Sequence, residues 1–276
     1  MNNQFRRQRG LSMIELLVAL ALSSFLILGV TQVYIDNKRS YLFQQSQMLN
    51  LDSARFADLM LGDLLGKAGY QRAPRLEDWP TGNLLSSECS SFERAAVTRL
   101  KDDDDVGFCI RYQPAADGEL TCAGTLAALD QNAFQPASSD ELVYIAVKFV
   151  PDDTDLHNGT LQCIGHRETG KQIADLINGV ADFRVEFGVY REDSEDIQSW
   201  EPAADWTSSA GPVHAIRYSM LLASAPNQRD GDSAVFERWI NDPANDADRI
   251  EVLEAQDNRR IYQIATGSQA LRNLSL

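Results

Sequence analysis

A long uncharged and mostly apolar run near the N-terminus limits what this chain can fold into more than any other feature. It extends from residue 16 to residue 35 and contains no Asp, Glu, Lys or Arg. About 20 apolar residues are enough to span a bilayer as a helix. The residues before it carry Arg6, Arg7 and Arg9 and no acid. A basic flank of this kind stays in the cytoplasm, so the sequence predicts that everything beyond the run lies on the other side of a membrane.

A single carboxylate, Glu15, stands directly before this run and five residues after Gly10. An acid at the edge of a membrane span costs roughly 3 kcal/mol even on lenient insertion scales, so its presence predicts a specific use. A secretory signal peptide does not explain the pattern, because its cleavage site would follow the apolar run and consist of small residues. The run is followed instead by Asp36, Lys38 and Arg39. A plain signal anchor with the same topology remains the alternative.

Helical character continues beyond the apolar run. No proline occurs before Pro74, and helix-favouring residues reach Lys67, which predicts one helix of about 55 residues, near 80 Å at about 1.5 Å per residue. Gly66 and Gly69, followed by Pro74, are stop signals. Large apolar residues fall along one line of the second half and predict the face that packs on a soluble domain. They are Leu42, Leu49, Phe56, Met60 and Leu64.

After a polar segment that starts near residue 73, the pattern changes to short apolar runs typical of strands. The predicted strands are 96–100, 106–113, 120–122, 141–150, 160–164, 180–190, 213–223 and 261–266. The segment from Pro114 to Gly118 is predicted to join the second and third strands as a hairpin. The polar stretches 192–211 and 227–258 are predicted to be long loops, with a short helix near 236–240. A helix followed by a run of strands indicates an α+β fold, with an antiparallel sheet laid over the second half of the helix.

The charge of the chain excludes one large class of partners. The net charge is −15, and the first ten residues hold three of the 25 basic residues and none of the 40 acidic ones. The remainder therefore carries 22 basic and 40 acidic residues, a net charge of −18. A surface this acidic argues against nucleic-acid binding.

The cysteines indicate an oxidising compartment. Cys89, Cys109, Cys122 and Cys163 all lie beyond the apolar run, and their spacings contain no Cys-x-x-Cys pair and match no zinc pattern. An even number of cysteines outside the cytoplasm predicts disulfides, and four cysteines leave three pairings open. Free buried thiols are the alternative.

No constellation of residues predicts an enzyme or a cofactor. The sequence contains no His-Glu-x-x-His, no Gly-x-Ser-x-Gly and no P-loop. His157 and His166 flank Cys163 and are interpreted as loop histidines beside a disulfide, with a metal site as the alternative. His214 opens a strand and is interpreted as a solvated or capping side chain.

Three acidic clusters offer oxygen ligands. They are Asp102 to Asp105, then Asp152, Asp153 and Asp155, and finally Asp242, Asp246 and Asp248. Oxygen-rich loops suit calcium, but none of these clusters has the glycine and terminal glutamate of an EF-hand loop. Solvated loop charge is the expected explanation, and a calcium site in one such loop is the alternative.

The junction from residue 9 to residue 15, Arg-Gly-Leu-Ser-Met-Ile-Glu, resembles the class III signal of type IV prepilins and type II secretion pseudopilins. In that family a prepilin peptidase cuts after the glycine and methylates the new N-terminus. The resemblance makes Gly10 the residue before the cut, Leu11 the methylated mature N-terminus and Glu15 the glutamate used in assembly. The sequence departs from the family at Leu11, where many members have phenylalanine, which concerns the rate of methylation more than cleavage.

Four later segments resemble the PilW-type minor pilins. They are 158–163, 174–180, 213–222 and 262–273, the last with an Arg-Asn ending. They favour a type IV pilus minor pilin over a J-type pseudopilin of type II secretion, which stays the alternative. The resemblance also implies two disulfides, Cys122 with Cys163 and Cys89 with Cys109.

The resemblance implies a pilin-like fold with four parts. These are a cleaved leader (1–10), a membrane or filament-core half of the helix (11–35), an amphipathic half (36–69) and a periplasmic β-rich domain (70–276). It further implies a non-enzymatic subunit of a pilus tip or initiation complex that primes assembly and supports twitching motility and adhesion. A membrane-anchored periplasmic binding or adhesion protein that never polymerises is the alternative from another class.

The implied partners are other minor pilins, a tip adhesin, the major pilin, the prepilin peptidase and the inner-membrane assembly platform. Before assembly the protein would lie in the inner membrane as a single span, with its N-terminus in the cytoplasm and its C-terminal domain in the periplasm. After assembly it would lie in the pilus, at the tip.

Processing gives the first testable prediction. We expect the mature protein to begin at an N-methylated Leu11 and to be lighter by residues 1–10. Gly10→Val should leave full-length precursor in the membrane, because a side chain at this position blocks the cut. A mass spectrum of the N-terminus checks both expectations. A pilus preparation in which the subunit still carries residues 1–10 would contradict the prepilin interpretation.

Overall fold

Helix α1 extends from Met13 to Lys67 and confirms the prediction of one long N-terminal helix. The computed structural model describes residues 12–72, 79, 82–92, 95–127, 141–167, 170–190, 197 and 199–274. The helix ends at Lys67 because Gly69 adopts a left-handed conformation, with φ 77°, which glycine tolerates without a steric cost. The chain divides into two compact units, Met1–Gln45 and Ser46–Leu276.

The face of α1 that packs on the second unit contains the predicted Leu64 and Met60 but otherwise differs from the predicted one. Leu49 and Phe56 are 60% and 52% exposed, whereas Ala57, Leu61 and Leu65 are fully buried. The prediction was wrong at Leu49 and Phe56 because it followed the largest side chains. Alanine lets the helix backbone approach the sheet closely, so the buried line contains small residues as well as leucines.

The second unit is built on an antiparallel sheet of eight strands. They are β1 (Val97–Thr98), β2 (Gly107–Tyr112), β3 (Val143–Val150), β4 (Gly159–Arg167), β5 (Gly170–Val189), β6 (Ser199–Pro202), β7 (Val213–Ala223) and β8 (Tyr262–Ala270). The order across the sheet is β1-β2-β3-β4-β5-β7-β8, and β6 pairs with the end of β5. This helix-on-sheet arrangement confirms the predicted pilin-like α+β fold.

Strand β5 is much longer than predicted, because its first half pairs with β4 and only its second half pairs with β7. The change of partner occurs at Val180, after Gly179, which has φ 75°. The register also shifts between Val180 and Asp182. The first half carries many exposed side chains, such as Ile173, so it lacks the alternation that identifies a half-buried strand.

Several local predictions were wrong. The segment 120–122 is not a strand but makes an isolated bridge from Leu120 to Leu126, so the segment from Pro114 does not connect two strands of the sheet as a hairpin. Strand β6 lies in a stretch predicted to be a loop. The predicted short helix is α2 (Ala234–Ile240), and a second helix, α3 (Ala247–Ala255), was missed.

The sheet is covered on both faces. One face packs on α1, through residues such as Phe108, Ile110 and Tyr218. The alternating residues point to the other face. There, one cluster lies under residues 82–92 and Leu100 and includes Cys109 and Tyr144. A separate cluster on the same face lies under α2 and α3; its members are Ala181, Leu221, Ala223, Phe236, Trp239, Ile250, Leu253 and Tyr262.

Polar contacts fix the second half of α1 to the sheet. Asn50 is 7% exposed and donates from Nδ2 to the Ile261 carbonyl at 3.0 Å. Tyr218 donates from its hydroxyl to Asp58 Oδ1 at 3.1 Å. The ring of Tyr218 reaches α1 across Gly267 on β8, where a Cβ atom would lie 2.3 Å from the Tyr218 hydroxyl oxygen. Glycine at 267 therefore provides the space for this contact.

Gly267→Ala is expected to destabilise the protein by about 1–3 kcal/mol, because the added methyl displaces a buried ring. Gly62→Ala is the matched control, since Gly62 lies in α1 with nothing within 4 Å of an added Cβ, and alanine there should stabilise by about 0.5–1 kcal/mol. Urea unfolding of the purified full chain measures both. Equal effects of the two substitutions would contradict the steric argument.

Candidate functional site

Glu15 lies in the first turn of α1. Its Oε2 accepts a hydrogen bond from the Ser12 backbone N–H at 3.4 Å. A carboxylate at this end of a helix is stabilised by the helix dipole and by the unpaired N–H groups of the first turn. Gly10 and Leu11 lie outside the described residues. The structure thus places Glu15 at the very start of the helix, where its carboxylate faces the N-terminal direction.

Every residue from 12 to 41 is exposed in the isolated chain. Phe25 and Leu26 are 77% and 68% exposed. The helix is long and apolar enough to cross a membrane by its length and composition. Soluble monomers rarely leave a continuous apolar surface of this size in water, so this segment requires lipid or the apolar surface of other proteins.

Polar side chains in the apolar segment find partners within the helix. Ser24 donates from its hydroxyl to the Ala21 carbonyl at 2.9 Å. Gln32 donates from Nε2 to both carboxylate oxygens of Asp36, at 3.1 and 3.3 Å. Hydrogen bonds of this kind lower the cost of placing these polar groups in a medium of low dielectric.

Two disulfides fasten surface segments to the sheet. They join Cys89 to Cys109 and Cys122 to Cys163, each with a Cα–Cα distance of 6.0 Å. This is the same pairing as the family resemblance implies. Cys109 and Cys163 lie on β2 and β4 and are fully buried. In the chain-entropy description, loops of 20 and 41 residues correspond to stabilisation of about 3–4 kcal/mol each.

Carboxylates of the three acidic clusters take part in ion pairs and caps. Asp105 pairs with Lys148 at 2.5 Å, and Asp155 pairs with Arg260 at 2.8 Å. Asp246 caps α3 by accepting from the Arg249 N–H at 2.9 Å. Within the part of the chain that the structure describes, no three His, Cys, Asp or Glu side chains are grouped so that they could hold a metal ion. Calcium binding stays a prediction from the sequence.

His157 is fully buried, which sequence reasoning missed. Its Nε2 lies 3.1 Å from the Leu253 carbonyl of α3, and its Nδ1 lies 3.3 Å from the Tyr262 hydroxyl of β8. Its ring also lies against Phe236 of α2. Burial and the nearby positive charge of Arg260 lower the pKa of His157. No local signal identifies this role, because the groups that contact the His157 ring are all distant in the sequence.

The other two histidines also differ from their interpretation. His166 lies in β4 and not in a loop. His214 is half-buried, and its ring meets the ring of Tyr190 edge-on with a centroid distance of 4.2 Å. Burial lowers the pKa of His214, and its ring packs on an aromatic neighbour instead of being fully solvated.

The segments that resemble PilW-type pilins come together in the fold. They lie on β4, β5, β7 and β8, which are neighbours in the sheet. Asn273, in the Arg-Asn ending of the last segment, makes a contact that the sequence did not predict. Asn273 donates from Nδ2 to the carbonyls of Gly66 and Ala68, at 3.0 and 3.1 Å. These carbonyls belong to the C-terminal turn of α1, so Asn273 caps the helix.

Two family models match the chain. Residues 5–31 match the "Prokaryotic N-terminal methylation motif", and residues 149–273 match "Type IV Pilus-assembly protein W". The first match, with the long helix on an antiparallel sheet, defines a type IV pilin-like protein. The second match extends from the end of β3 through β8, and together the two matches support a type IV pilin-like minor pilin of the PilW type.

A solved structure is similar to the chain in outline. It is a type IV-like pilin from Thermus thermophilus, with 14% sequence identity and a TM-score of 0.46; the match covers 81% of this chain and 97% of that one. No curated protein matches the chain.

The lowered pKa of His157 predicts a pH dependence of stability. The folded protein holds the imidazole neutral, so the unfolded chain binds the proton more readily. The stability that the neutral His157 contributes to the folded protein is therefore complete above the ordinary histidine pKa of about 6.5. It is lost as the pH falls below that value. His157→Gln should reduce the fall in the free energy of unfolding between about pH 7.5 and about pH 5. Parallel curves for the wild-type protein and the variant would contradict this assignment.

Proposed function

We propose that the protein is a low-copy structural subunit in the tip or initiation complex of a type IV pilus, where it primes assembly and supports twitching motility and adhesion. The observation that carries the proposal is Glu15, a lone acid in the first turn of a helix whose described side chains from 12 to 41 are all exposed. A simple membrane anchor gains nothing from this acid and is harder to insert because of it.

The proposed processing begins at the inner membrane. The prepilin peptidase cuts between Gly10 and Leu11 on the cytoplasmic side and methylates Leu11, while the unit Ser46–Leu276 lies in the periplasm. The apolar half of α1 then leaves the lipid only for another environment of low dielectric, the helical bundle at the core of a filament. The assembly platform, the major pilin, other minor pilins and a tip adhesin are the proposed partners.

Glu15 is proposed to pair with the free α-amino group of a neighbouring subunit in that bundle. A buried ion pair is a weak source of stability, because desolvation offsets most of the attraction, but it can fix the register between helices. Removing one member of such a pair leaves the other charge buried and unpaired, which costs about 3–5 kcal/mol.

The large second unit supports the low-copy role. Major pilins are usually much shorter, and a domain of this size suits a position that is occupied once at the tip. The match to the PilW family over residues 149–273 supports a pilus subunit over a J-type secretion pseudopilin. The two disulfides are consistent with a periplasmic domain.

Glu15→Leu separates a pilus subunit from a plain anchor. We expect cleavage, abundance and folding of the second unit to stay at wild-type levels. Co-purification with the other minor pilins and surface piliation should fall, because a neighbour's buried amine loses its partner, at a cost of about 3–5 kcal/mol. Quantitative immunoblots of purified complexes and counts of surface pili measure both effects.

Asp36→Asn is the matched control, since Asp36 is an acid of the same helix that hydrogen-bonds within the helix to Gln32. It should leave partner capture unchanged. Wild-type piliation and undiminished partner capture by the Glu15→Leu variant would point to an anchor that does not polymerise.

A further inference from the structure

The two edges of the sheet differ sharply in length. At one edge, β1 consists of two residues. At the other, β8 extends over nine residues and pairs with β7 without a bulge or a shift of register. No described strand pairs with the outer side of β8. A long edge strand presents a row of unpaired backbone groups that another strand can bind.

The hydrogen bonds that flank β8 identify the outward groups. The Leu271 N–H donates to the His214 carbonyl at 2.7 Å, and the Ser224 N–H donates to the Ile261 carbonyl at 2.9 Å. Residues that bond to the same neighbour alternate along an antiparallel strand. The odd-numbered residues of β8 therefore face β7, and the backbone groups of the even-numbered residues, 262 to 270, face outward.

Two outward carbonyls are already occupied by the strand's own side chains. Gln263 donates from Nε2 to the Ile264 carbonyl at 3.1 Å, and Gln269 donates to the Ala270 carbonyl at 3.4 Å. The backbone between them, at Thr266 and Ser268, faces outward at the centre of the edge.

This edge lacks the usual devices that prevent strand pairing. Proteins protect long edges with charged residues, proline, bulges or a very short strand. Residues 262–270 contain no charge and no proline, in a chain of which 24% is charged. Thr266, Ser268 and Ala270 are exposed and small, so a second strand could approach without a steric obstacle. An unprotected edge of this length is typical of one that is covered in the assembled state.

A groove beside the edge provides a place for side chains of the incoming strand. It lies between α1 and β8, has a volume of about 270 Å³ and is lined by Ala54, Arg55, Asp58, Ile264 and Thr266, among others. Strand addition gains affinity from main-chain hydrogen bonds and specificity from pockets for alternate side chains. The lining is mixed, apolar at Ala54 and Ile264 and oppositely charged at Arg55 and Asp58. It suits an uncharged segment with a polar residue at that position.

A second copy of this chain fits the edge poorly. Each copy carries a net charge of −18 beyond the leader, and like charge of this size opposes self-association.

We propose that the outer edge of β8 receives an extended, uncharged strand from a different pilin-like subunit of the same machine, which extends the sheet of this protein by one strand. The identity of the partner rests on the proposed function. The strand addition itself rests on the geometry of the edge.

Photo-crosslinking in cells tests this. The full chain carries p-benzoylphenylalanine at Ser268, or at Val252, an exposed residue of α3, as the control position. We expect Ser268, and not Val252, to crosslink to a protein whose own precursor has a prepilin leader, with the crosslinked peptide lying in a strand. A crosslink to a second copy, a crosslink to a protein without such a leader, or equal yields at both positions would overturn the proposal.

Edge variants separate strand addition from simple proximity. Thr266→Pro removes an outward N–H and leaves the bonds to β7 intact, as proline is tolerated only on the free side of an edge strand. Thr266→Ala keeps the N–H and is the matched control. The Ser268 crosslink should fall by about tenfold in the proline variant, the effect of about 1.4 kcal/mol, and stay unchanged in the alanine variant.

Thr266→Lys provides a second block that does not alter the backbone, so the test stands if the proline variant fails to fold. Thermal unfolding of each purified full-length variant identifies that failure. Equal crosslinking in the lysine and alanine variants would refute strand addition. The result is separable from the test of Glu15. A loss of partner capture in Glu15→Leu together with no Ser268 crosslink would retain the pilus subunit and reject this edge as its interface.

Discussion

The packing of the second half of α1 on the sheet is the interaction on which the second unit, Ser46–Leu276, depends. Ala57, Leu61 and Leu65 are fully buried there, and together with apolar side chains of the strands they form the largest core of the protein. Without this helix, one face of the sheet would expose that core to water, at a cost of about 25 cal/mol for each Å² of apolar surface. The same helix is exposed on all sides from residue 12 to residue 41, so its two halves are built for two different environments.

Apolar contact is non-directional and does not by itself fix where a helix lies along a sheet. Hydrogen bonds supply that precision here. On α1, Asn50 donates a hydrogen bond to the Ile261 carbonyl and Asp58 accepts one from the Tyr218 hydroxyl. Asn273 caps the end of the helix. Each bond contributes about 1 kcal/mol to stability. Their joint effect is to fix the register of α1, and with it the position of the β8 edge relative to the groove beside it.

The sequence predicted those elements whose physical signal is local. Helix α1 ends where the glycines begin. Strand β7 was predicted residue for residue because it is a mostly apolar run between Pro212 and the polar residues that start at Ser224. The first half of β5 was missed because its side chains are exposed and need no alternation. Helix α3 was missed because only Ile250 and Leu253 are buried among polar residues.

For the candidate site too, residues with a local sequence signal could be predicted and residues that depend on distant contacts could not. Glu15 could be selected as a candidate from the sequence because the signal lies in its neighbours in the chain, an uncharged run and a preceding glycine. Its role in assembly stays a prediction. The role of His157 could not be identified from the sequence, since its burial depends on Leu253 and Tyr262. Arg111 is a similar case. This fully buried cation donates to the Ala95 carbonyl and lies under the rings of Trp79 and Phe92.

The cap that Asn273 places on α1 joins two points that are more than two hundred residues apart, at Gly66 and at the Arg-Asn ending. The carbonyls at the end of the helix therefore lack this partner until almost the whole unit Ser46–Leu276 has been synthesised. Strand β8, at Tyr262–Ala270, is synthesised at the same late stage. Completion of the helix and completion of the edge are thus coupled in time, and a chain that stops short of residue 273 has a frayed helix end whatever the state of its earlier strands.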